Sequence, residues 1–487
     1  MPQPIHPISL PAFLCMIWFF CIAPDLMADN SDDFHEELND ARIAVAIKNK
    51  LMWSGGKSFS SIEVTVKGGV AILTGTAENL WAQERARELS QVIRGVRGVI
   101  DRIAVGPLGS ITDSTIKRHL EQIFAQDPIA GFKNIDLDVD QGIVTLKGRM
   151  QSWQEKQTAL NVAKMVKGVR KVHDALTINF VTGRPDTNVR EEIKRRLEYD
   201  VWIDRPSLLN IHVRKGTAFL AGQVKSAYEK SRISELAWVQ GIREVNVDGV
   251  EVIERAQDPM IRPTRPRPTD QQIADALHMI LSYDPRVSPF NIGIAVENGS
   301  VTLQGDVPFL SIKREAEQDV KNTLGVMSVN NQLNIQVDST LLDQDIRTRV
   351  LKAFSHDPVL GKFSLGVVVR KGTALLTGIV DSYYERNHVE NVTSRVSGVR
   401  ALQNDITFST RKQEKTDWEI QLDIENQVWW NPYLADQDIV AMVEDGKATL
   451  TGSVAYGPQR VIAEQQAFEA GASVVVNNLR VGKMSPS

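Results

Sequence analysis

The sequence predicts an α+β protein: a tandem array of six small α-β-β-α-β units, each with two helices packed on a three-stranded mixed sheet. Three observations predict it. The pattern Gly-x-[Ala/Val]-x-Leu-x-Gly occurs six times, at Gly69–Gly75, Gly142–Gly148, Gly216–Gly222, Gly299–Gly305, Gly372–Gly378 and Gly446–Gly452. The first glycines are 73, 74, 83, 73 and 74 residues apart, and such self-similarity at a fixed period signals one structural unit used repeatedly. Within each period the apolar spacing changes from every fourth residue to every second, the change from helix to strand.

Each unit opens with an aspartate placed to cap a helix: Asp40, Asp113, Asp186, Asp270, Asp343 and Asp417. Its carboxylate is expected to accept an orphan backbone N–H at the positive helix end. An apolar stripe follows, as in Ile43, Ile47, Leu51 or Ile346, Val350, Phe354, the signature of one buried helix face. After a loop, Ile62, Val64 and Val66 alternate as in a strand. The first motif glycine is expected to make the hairpin turn, Val70 to Leu73 to return, and the second glycine to end that strand. Ser152-x-x-Glu155, Ser226-x-x-Glu229 and Ser382-x-x-Glu385 read as capping boxes opening the second helix. A third glycine (Gly95, Gly168, Gly241, Gly325, Gly398, Gly471) is expected at C′, and a short strand such as Val172 to Ile178 closes the unit.

All three glycines recur at an offset of 230 residues between units one and four, two and five, and three and six. A three-unit block was therefore duplicated whole. Unit three carries one extra residue between its first helix and first strand.

The order of elements, the glycine hairpin and the close Gly-Val-Arg-x-[Val/Leu] (Gly95, Gly168 and Gly398 with their successors) resemble the BON domain, a family named for an osmotically inducible periplasmic protein and for nodulation proteins. The sixth close differs and reads Gly471-Ala-Ser-Val-Val. The resemblance places units at 39–107, 111–180, 186–253, 269–337, 341–409 and 416–482, with a linker at 254–268. It implies a periplasmic, non-enzymatic module associated with phospholipid surfaces and with envelope integrity under osmotic stress.

Bulk properties agree with an exported globular protein. Composition is ordinary and the formal charge of −4 over 487 residues gives no general reason for nucleic-acid binding. Units of about 70 residues bury only about 60% of their unfolded surface and are expected to lean on neighbours. Residues 1–28 read as a signal peptide, with the apolar run Ala12 to Ala23 and cleavage after Ala28; an uncleaved inner-membrane anchor is the alternative. Cys15 and Cys21 both lie in this segment, so the mature chain has no thiol for catalysis, disulfides or zinc.

Every unit places aromatics four to six residues after its second motif glycine: Trp81, Trp153, Tyr228, Phe309, Tyr383 with Tyr384, and Tyr456. They read either as staples over the sheet edge or as an amphipathic row at a membrane interface or ligand groove. In unit two Trp153 is followed by Lys156, Lys164, Lys167, Arg170 and Lys171. Near an anionic leaflet each such cation is worth about 1 kcal/mol, which makes this unit the expected lipid contact. The linker has four prolines, favouring an extended spacer, and carries Arg255, Arg262, Arg265 and Arg267. Residues 29–253 carry a formal +2 and residues 269–487 a formal −7, so the N-terminal half with the linker is the side expected to face an anionic membrane. Hairpin tips alternate in sign: Lys67, Arg214–Lys215 and Arg370–Lys371 against Asp138–Asp140, Glu297 and Glu444–Asp445. Complementary contacts between neighbouring units would explain the alternation.

Catalysis finds little support. The histidines do not recur at one unit position, and there is no i, i+4 histidine pair and no Gly-x-Ser-x-Gly elbow. Gly55-Gly56-Lys57-Ser58 lacks the glycine a phosphate loop needs, since Leu51 stands there. No cofactor and no metal are expected. The sequence thus describes a non-enzymatic array that binds the envelope, most simply anionic phospholipid; a scaffold for protein or polysaccharide partners is the rival reading.

Overall fold

In a computed structural model, the described residues are 30–106, 111–127, 129–179, 183–253, 265, 267–337, 341–408 and 415–482. Residues 1–29 and most of the linker, including Arg255 and Arg262, lie outside them. The described residues form twelve α-helices and six small mixed sheets, the two helices and one sheet per unit expected above.

Unit five shows the pattern. Helix Asp343–His356 is followed by strands Gly366–Arg370 and Thr373–Val380, helix Tyr383–Ser394 and strand Ala401–Phe408. The first two strands form an antiparallel hairpin closing at Arg370↔Thr373. The second helix then crosses over, so that the third strand pairs parallel with the second, from Thr373↔Ala401 to Val380↔Phe408. The motif strand is central in every sheet. Its [Ala/Val]-x-Leu residues are two apart and so face the same side. All twelve, from Ala71 and Leu73 to Ala448 and Leu450, are at most 2% exposed. They meet the first-helix stripe, which in unit five is Ile346, Val350 and Phe354.

Four local expectations are corrected. The recurring aspartates do not cap their helices; where the caps are side chains they are Thr112, Thr269 and Thr416. The aspartates instead accept the N–H groups of their own hairpin turn. Asp343 takes Lys371 N at 2.7 Å and Gly372 N at 2.9 Å. Units one, two, four and six repeat the two-donor arrangement, and unit three keeps one bond, Lys215 N to Asp186. The cause is the turn: Lys371 and Gly372 have φ of +50° and +75°, which points successive N–H groups into one concavity that suits an anion.

The second glycine does not end its strand but lies inside it, as Gly75 lies inside Val70–Ala77. A Cβ on Gly75 would stand 2.1 Å from Ser61 O, so the close approach of the neighbouring strand requires glycine. The third glycine follows its helix directly only at Gly471. Elsewhere the helix stops earlier, and the glycine packs against the first helix: a Cβ on Gly398 would meet Ile346 Cγ1 at 2.6 Å. Ser152, Ser226 and Ser382 do cap the second helix, but their glutamates bond the N–H one residue before the cap, at Gln151, Lys225 and Asp381.

The six units close on one another with a pseudo-twofold relation that follows the 230-residue offset. Leu324 N donates to Tyr199 O at 2.7 Å between units three and four. Arg94 N donates to Trp430 O at 2.8 Å between units one and six. These are equivalent pairs, since Leu324 is 230 after Arg94 and Trp430 is 231 after Tyr199, the extra residue of unit three making the difference. The last unit therefore docks on the first as the third docks on the fourth. Lys352 Nζ and Gln122 Oε1, 230 residues apart and 3.4 Å from each other, mark the axis. A two-fold interface between identical copies has this self-complementary form.

Candidate functional site

Most of the aromatics singled out from the sequence lie at the seams between units. Trp153 stacks on Trp238 between units two and three, with centroids 5.3 Å apart and planes at 5°. The equivalent pair in the second half, Tyr383 on Phe468, is 4.5 Å apart at 12°. Trp81 stacks on Tyr384 across units one and five at 4.8 Å. Tyr228 meets Tyr433 edge-on at 5.7 Å across units three and six, and Tyr456 joins the same cluster with Val201 and Trp202. Phe309 packs on the core of its own unit. The aromatic row is thus turned inward: Trp81, Trp153, Tyr228, Tyr383 and Tyr384 each meet a ring of another unit.

The basic residues of unit two divide. Lys156 is bound to Asp174 at 2.7 Å and to Leu176 O. Lys164 pairs with Glu84 of unit one at 2.8 Å. Between units four and five the sign at one of these positions is reversed: Arg314, 230 after Glu84, meets Glu390, one helical turn before Ser394, the equivalent of Lys164, at 3.0 Å. Lys167 is half-buried with its Nζ close to Gly361 of unit five. Arg170 and Lys171 are exposed. Arg265 donates to the carbonyls of Glu198 and Asp200, and Arg267 to that of Asn298, so these linker ends serve as ties to units three and four. Arg262 lies outside the described residues. The hairpin tips remain exposed, and among the described residues the ion pairs between units come from helices and their ends rather than from tips of opposite sign.

The structural glycines share one task, holding the tip. Gly69, Gly142, Gly216, Gly299, Gly372 and Gly446 turn it, and each accepts the N–H of the residue two after the third glycine, for example Arg400 N to Gly372 O at 2.8 Å. Gly75, Gly148, Gly222, Gly305, Gly378 and Gly452 let the hairpin strands approach. In units one, two, three and five the residue bonded to the tip is an exposed arginine: Arg97, Arg170, Arg243 and Arg400. The recurrence of Gly-[Val/Ile]-Arg in the sequence signals this arginine, and its position beside the tip comes from the parallel third strand.

The two equivalent seams enclose cavities of different chemistry. The one beside units three and four, about 350 Å³, is lined by Arg196, Arg232, Asp284 and Asp319. Arg232 holds Asp200 by two bonds, at 2.8 and 3.0 Å. Burial, then the Asp284 carboxylate, push the Asp319 carboxyl well above its usual range, and its Oδ2 has no hydrogen-bond partner. Burial and the Arg232 charge lower Arg196 to about 10. The cavity between units one and six, about 410 Å³, has Gln427 where Arg196 stands and Lys50 and Trp53 where Ile280 and Tyr283 stand. Sequence reasoning missed both. The available signal was a polar residue on a mainly apolar first-helix stripe, Gln427 in unit six and Arg196 with Glu192 in unit three.

Near the axis His119 and His356 stack at 3.7 Å. Partial burial, then the neighbouring His119, Lys352, Arg118 and Lys167, hold the His356 imidazole down at about 4. Among the described residues no group of three or more His, Cys, Asp or Glu is placed to hold a metal ion, and no helix is long and apolar enough to cross a membrane.

Comparison with known proteins gives the following. The BON domain family matches residues 39–107, 112–179, 185–254, 269–337, 342–410 and 416–483. The chain is 30% identical over 142 residues to an uncharacterized protein in the gshII 5′ region of Anaplasma centrale, covering 28% of this chain and 91% of that protein. It is 24% identical over 145 residues to osmotically-inducible protein Y of Escherichia coli (strain K12), covering 28% of this chain and 72% of that protein. Among solved structures, CdsD, a structural protein of the type III secretion system of Chlamydia trachomatis, is similar at 15% identity and a TM-score of 0.12, over 45% of this chain and 91% of that one.

Proposed function

This chain belongs to the BON domain family, and from that premise we propose that it is an exported, non-enzymatic envelope protein that binds anionic phospholipid and supports envelope integrity under osmotic stress. The observation that carries the reading is six family copies in one chain, part of which is similar to osmotically-inducible protein Y. Residues 1–28 would direct it to the periplasm.

The surface favours the hairpin tips over the Trp153 helix as the contact. Exposed cations cluster at the tips of three units: Lys67 with Arg97, Arg214 and Lys215 with Arg243, Arg370 and Lys371 with Arg400. Arg170 and Lys171 extend the set in unit two. At about 1 kcal/mol per cation near an anionic leaflet, each tip is weak alone. Several tips on one closed body gain avidity without any tight site.

Liposome flotation of residues 29–487 tests this. Anionic vesicles should carry the protein upward at low salt, neutral vesicles should not, and high salt should release it. Changing Arg214, Lys215, Arg370 and Lys371 to Glu should abolish flotation and leave the thermal transition in place. Flotation that ignores headgroup charge, or none at all, refutes the proposal.

A further inference from the structure

Basic groups gather on one side of the pseudo-twofold axis. The first helices of units two and five, Asp113–Gln126 and Asp343–His356, meet there. His119 stacks on His356 with centroids 3.7 Å apart, and Lys352 Nζ stands 3.4 Å from Gln122 Oε1. Arg118 adjoins His119, and Lys167 reaches over from unit two, its Nζ 3.2 Å from where a Cβ on Gly361 would stand. Arg118 and Lys352 are exposed; Lys167 and both rings are half-buried. Among the described residues, none of Arg118, Lys167 and Lys352 forms an ion pair. The carboxylates that end the two helices are engaged elsewhere, Asp127 with Arg286 at 3.8 Å and Asp357 with His388 at 2.9 Å. Glu121 is exposed two positions from His119, about 200° around the helix and so pointing away. The charges that act on the rings, Arg118, Lys352 and Lys167, are all positive.

Packing does not require this charge, as the duplicated half shows. The positions equivalent to Arg118, His119, Lys167, Lys352 and His356 at the 230-residue offset are Thr348, Arg349, Ser397, Gln122 and Gln126. One of those five is basic, so the same two helices meet across the axis with little charge on one side and much on the other. Gathering like charges weakens the folded state, and a matching anion removes that cost.

We infer that this cluster binds a phosphate group carrying two negative charges, whose oxygens accept from Arg118, Lys167, Lys352 and the imidazoles of His119 and His356. Stacking occupies one face of each ring, and the nitrogens that donate lie on the ring edges. Arginine and lysine supply charge-assisted bonds that outlast any change in the rings. Such a group occurs free, as in pyrophosphate, or at the head of a lipid, as in phosphatidate. The site is separate from the hairpin tips and does not rest on the lipid contact proposed for them.

NMR of residues 29–487 carrying isotope-labelled histidine tests it, with pyrophosphate and water-soluble dihexanoyl phosphatidate as probes and ionic strength held constant with NaCl. The His119 and His356 signals should shift saturably, one ligand per chain. The pKa of both rings should rise by about one unit on saturation, because an adjacent anion favours the imidazolium. Lys167→Ser, Lys352→Gln and His356→Gln together install residues that the duplicated half already uses, so this variant should fold. It should weaken binding about tenfold or more, read at His119. Lys67→Gln at the unit-one tip should change nothing. Tighter binding of pyrophosphate makes the ligand a free phosphate, and tighter binding of phosphatidate makes it a headgroup. No saturable shift with either up to about 10 mM overturns the inference. So does a shift that NaCl reproduces, or binding that the triple variant keeps. Either failure leaves the flotation prediction standing, since the tips are untouched.

Discussion

Lys50 and Glu469 form the ion pair at the seam that closes the array. Their side chains are 10% and 1% exposed and 2.5 Å apart. Glu469 also accepts from Ser54 Oγ at 3.1 Å and Gln465 Nε2 at 2.8 Å. Lys50→Ile removes the cation and leaves a buried carboxylate with two neutral donors, a change that costs about 3–5 kcal/mol. The corresponding positions of the other seam carry Ile280 and Val239, so the duplicated interface already holds apolar residues there. Lys50→Ile with Glu469→Val should therefore recover most of the loss. The remaining cost should be about 1 kcal/mol, from the Ser54 hydroxyl left without its acceptor. Urea unfolding followed by circular dichroism at constant m-value gives the three differences, and the coupling should reach about 3 kcal/mol. Adding about 1 M NaCl should barely change it, because buried pairs are screened little. The reasoning fails if Lys50→Ile costs under about 1 kcal/mol, or if the double variant is as unstable as the two single losses added.

Other outcomes follow from the same geometry. Gly75→Ala forces a Cβ to within 2.1 Å of Ser61 O at φ +100° and should cost about 3 kcal/mol or more; Gly68→Asn, at φ +56° with open space around it, should stay within about 0.5 kcal/mol in the same urea assay. Asp343→Ala removes both tip bonds and should cost about 2 kcal/mol, while Asp343→Asn keeps one acceptor and should recover about half. The depressed His356 is neutral in the folded chain, whereas an unfolded histidine protonates near 6.5. Stability from this group is present above about pH 6.5 and is lost as pH falls toward about 4. Burial raises Asp319, Glu315 and Asp284, which act in the opposite sense, so the measurement is the difference in Tm between parent and His356→Gln across that window. Finally, a permuted chain running 269–482, a linker like 254–268, then 39–253 should fold with a Tm close to the parent, because the seam of units six and one repeats that of three and four.

Much of each unit was legible because its causes are local. Alternating apolar residues on both sides of a tip such as Lys371-Gly372 would fit many hairpins, but the six-fold motif fixed which residues turn, and Ala374 and Leu376 fell on the core side by the two-residue period alone. The errors were also local in origin. Asp343 at a helix start reads as a cap, and its true partners lie 28 and 29 residues away at a turn whose inward N–H groups exist only once the sheet forms. Trp153 and Lys164 looked like a lipid face because the sequence shows one helix at a time. Trp238 and Glu84, which take them, belong to other units.

Spacing along the chain was enough to establish the repeating unit, its order of helices and strands, and the duplication of a three-unit block. The assembled fold was needed to show which faces are covered, that unit six docks on unit one, and that two equivalent cavities hold different chemistry. Those features depend on side chains hundreds of residues apart, such as Lys50 and Glu469, and no periodicity within a 73-residue unit encodes which partner a buried group will meet.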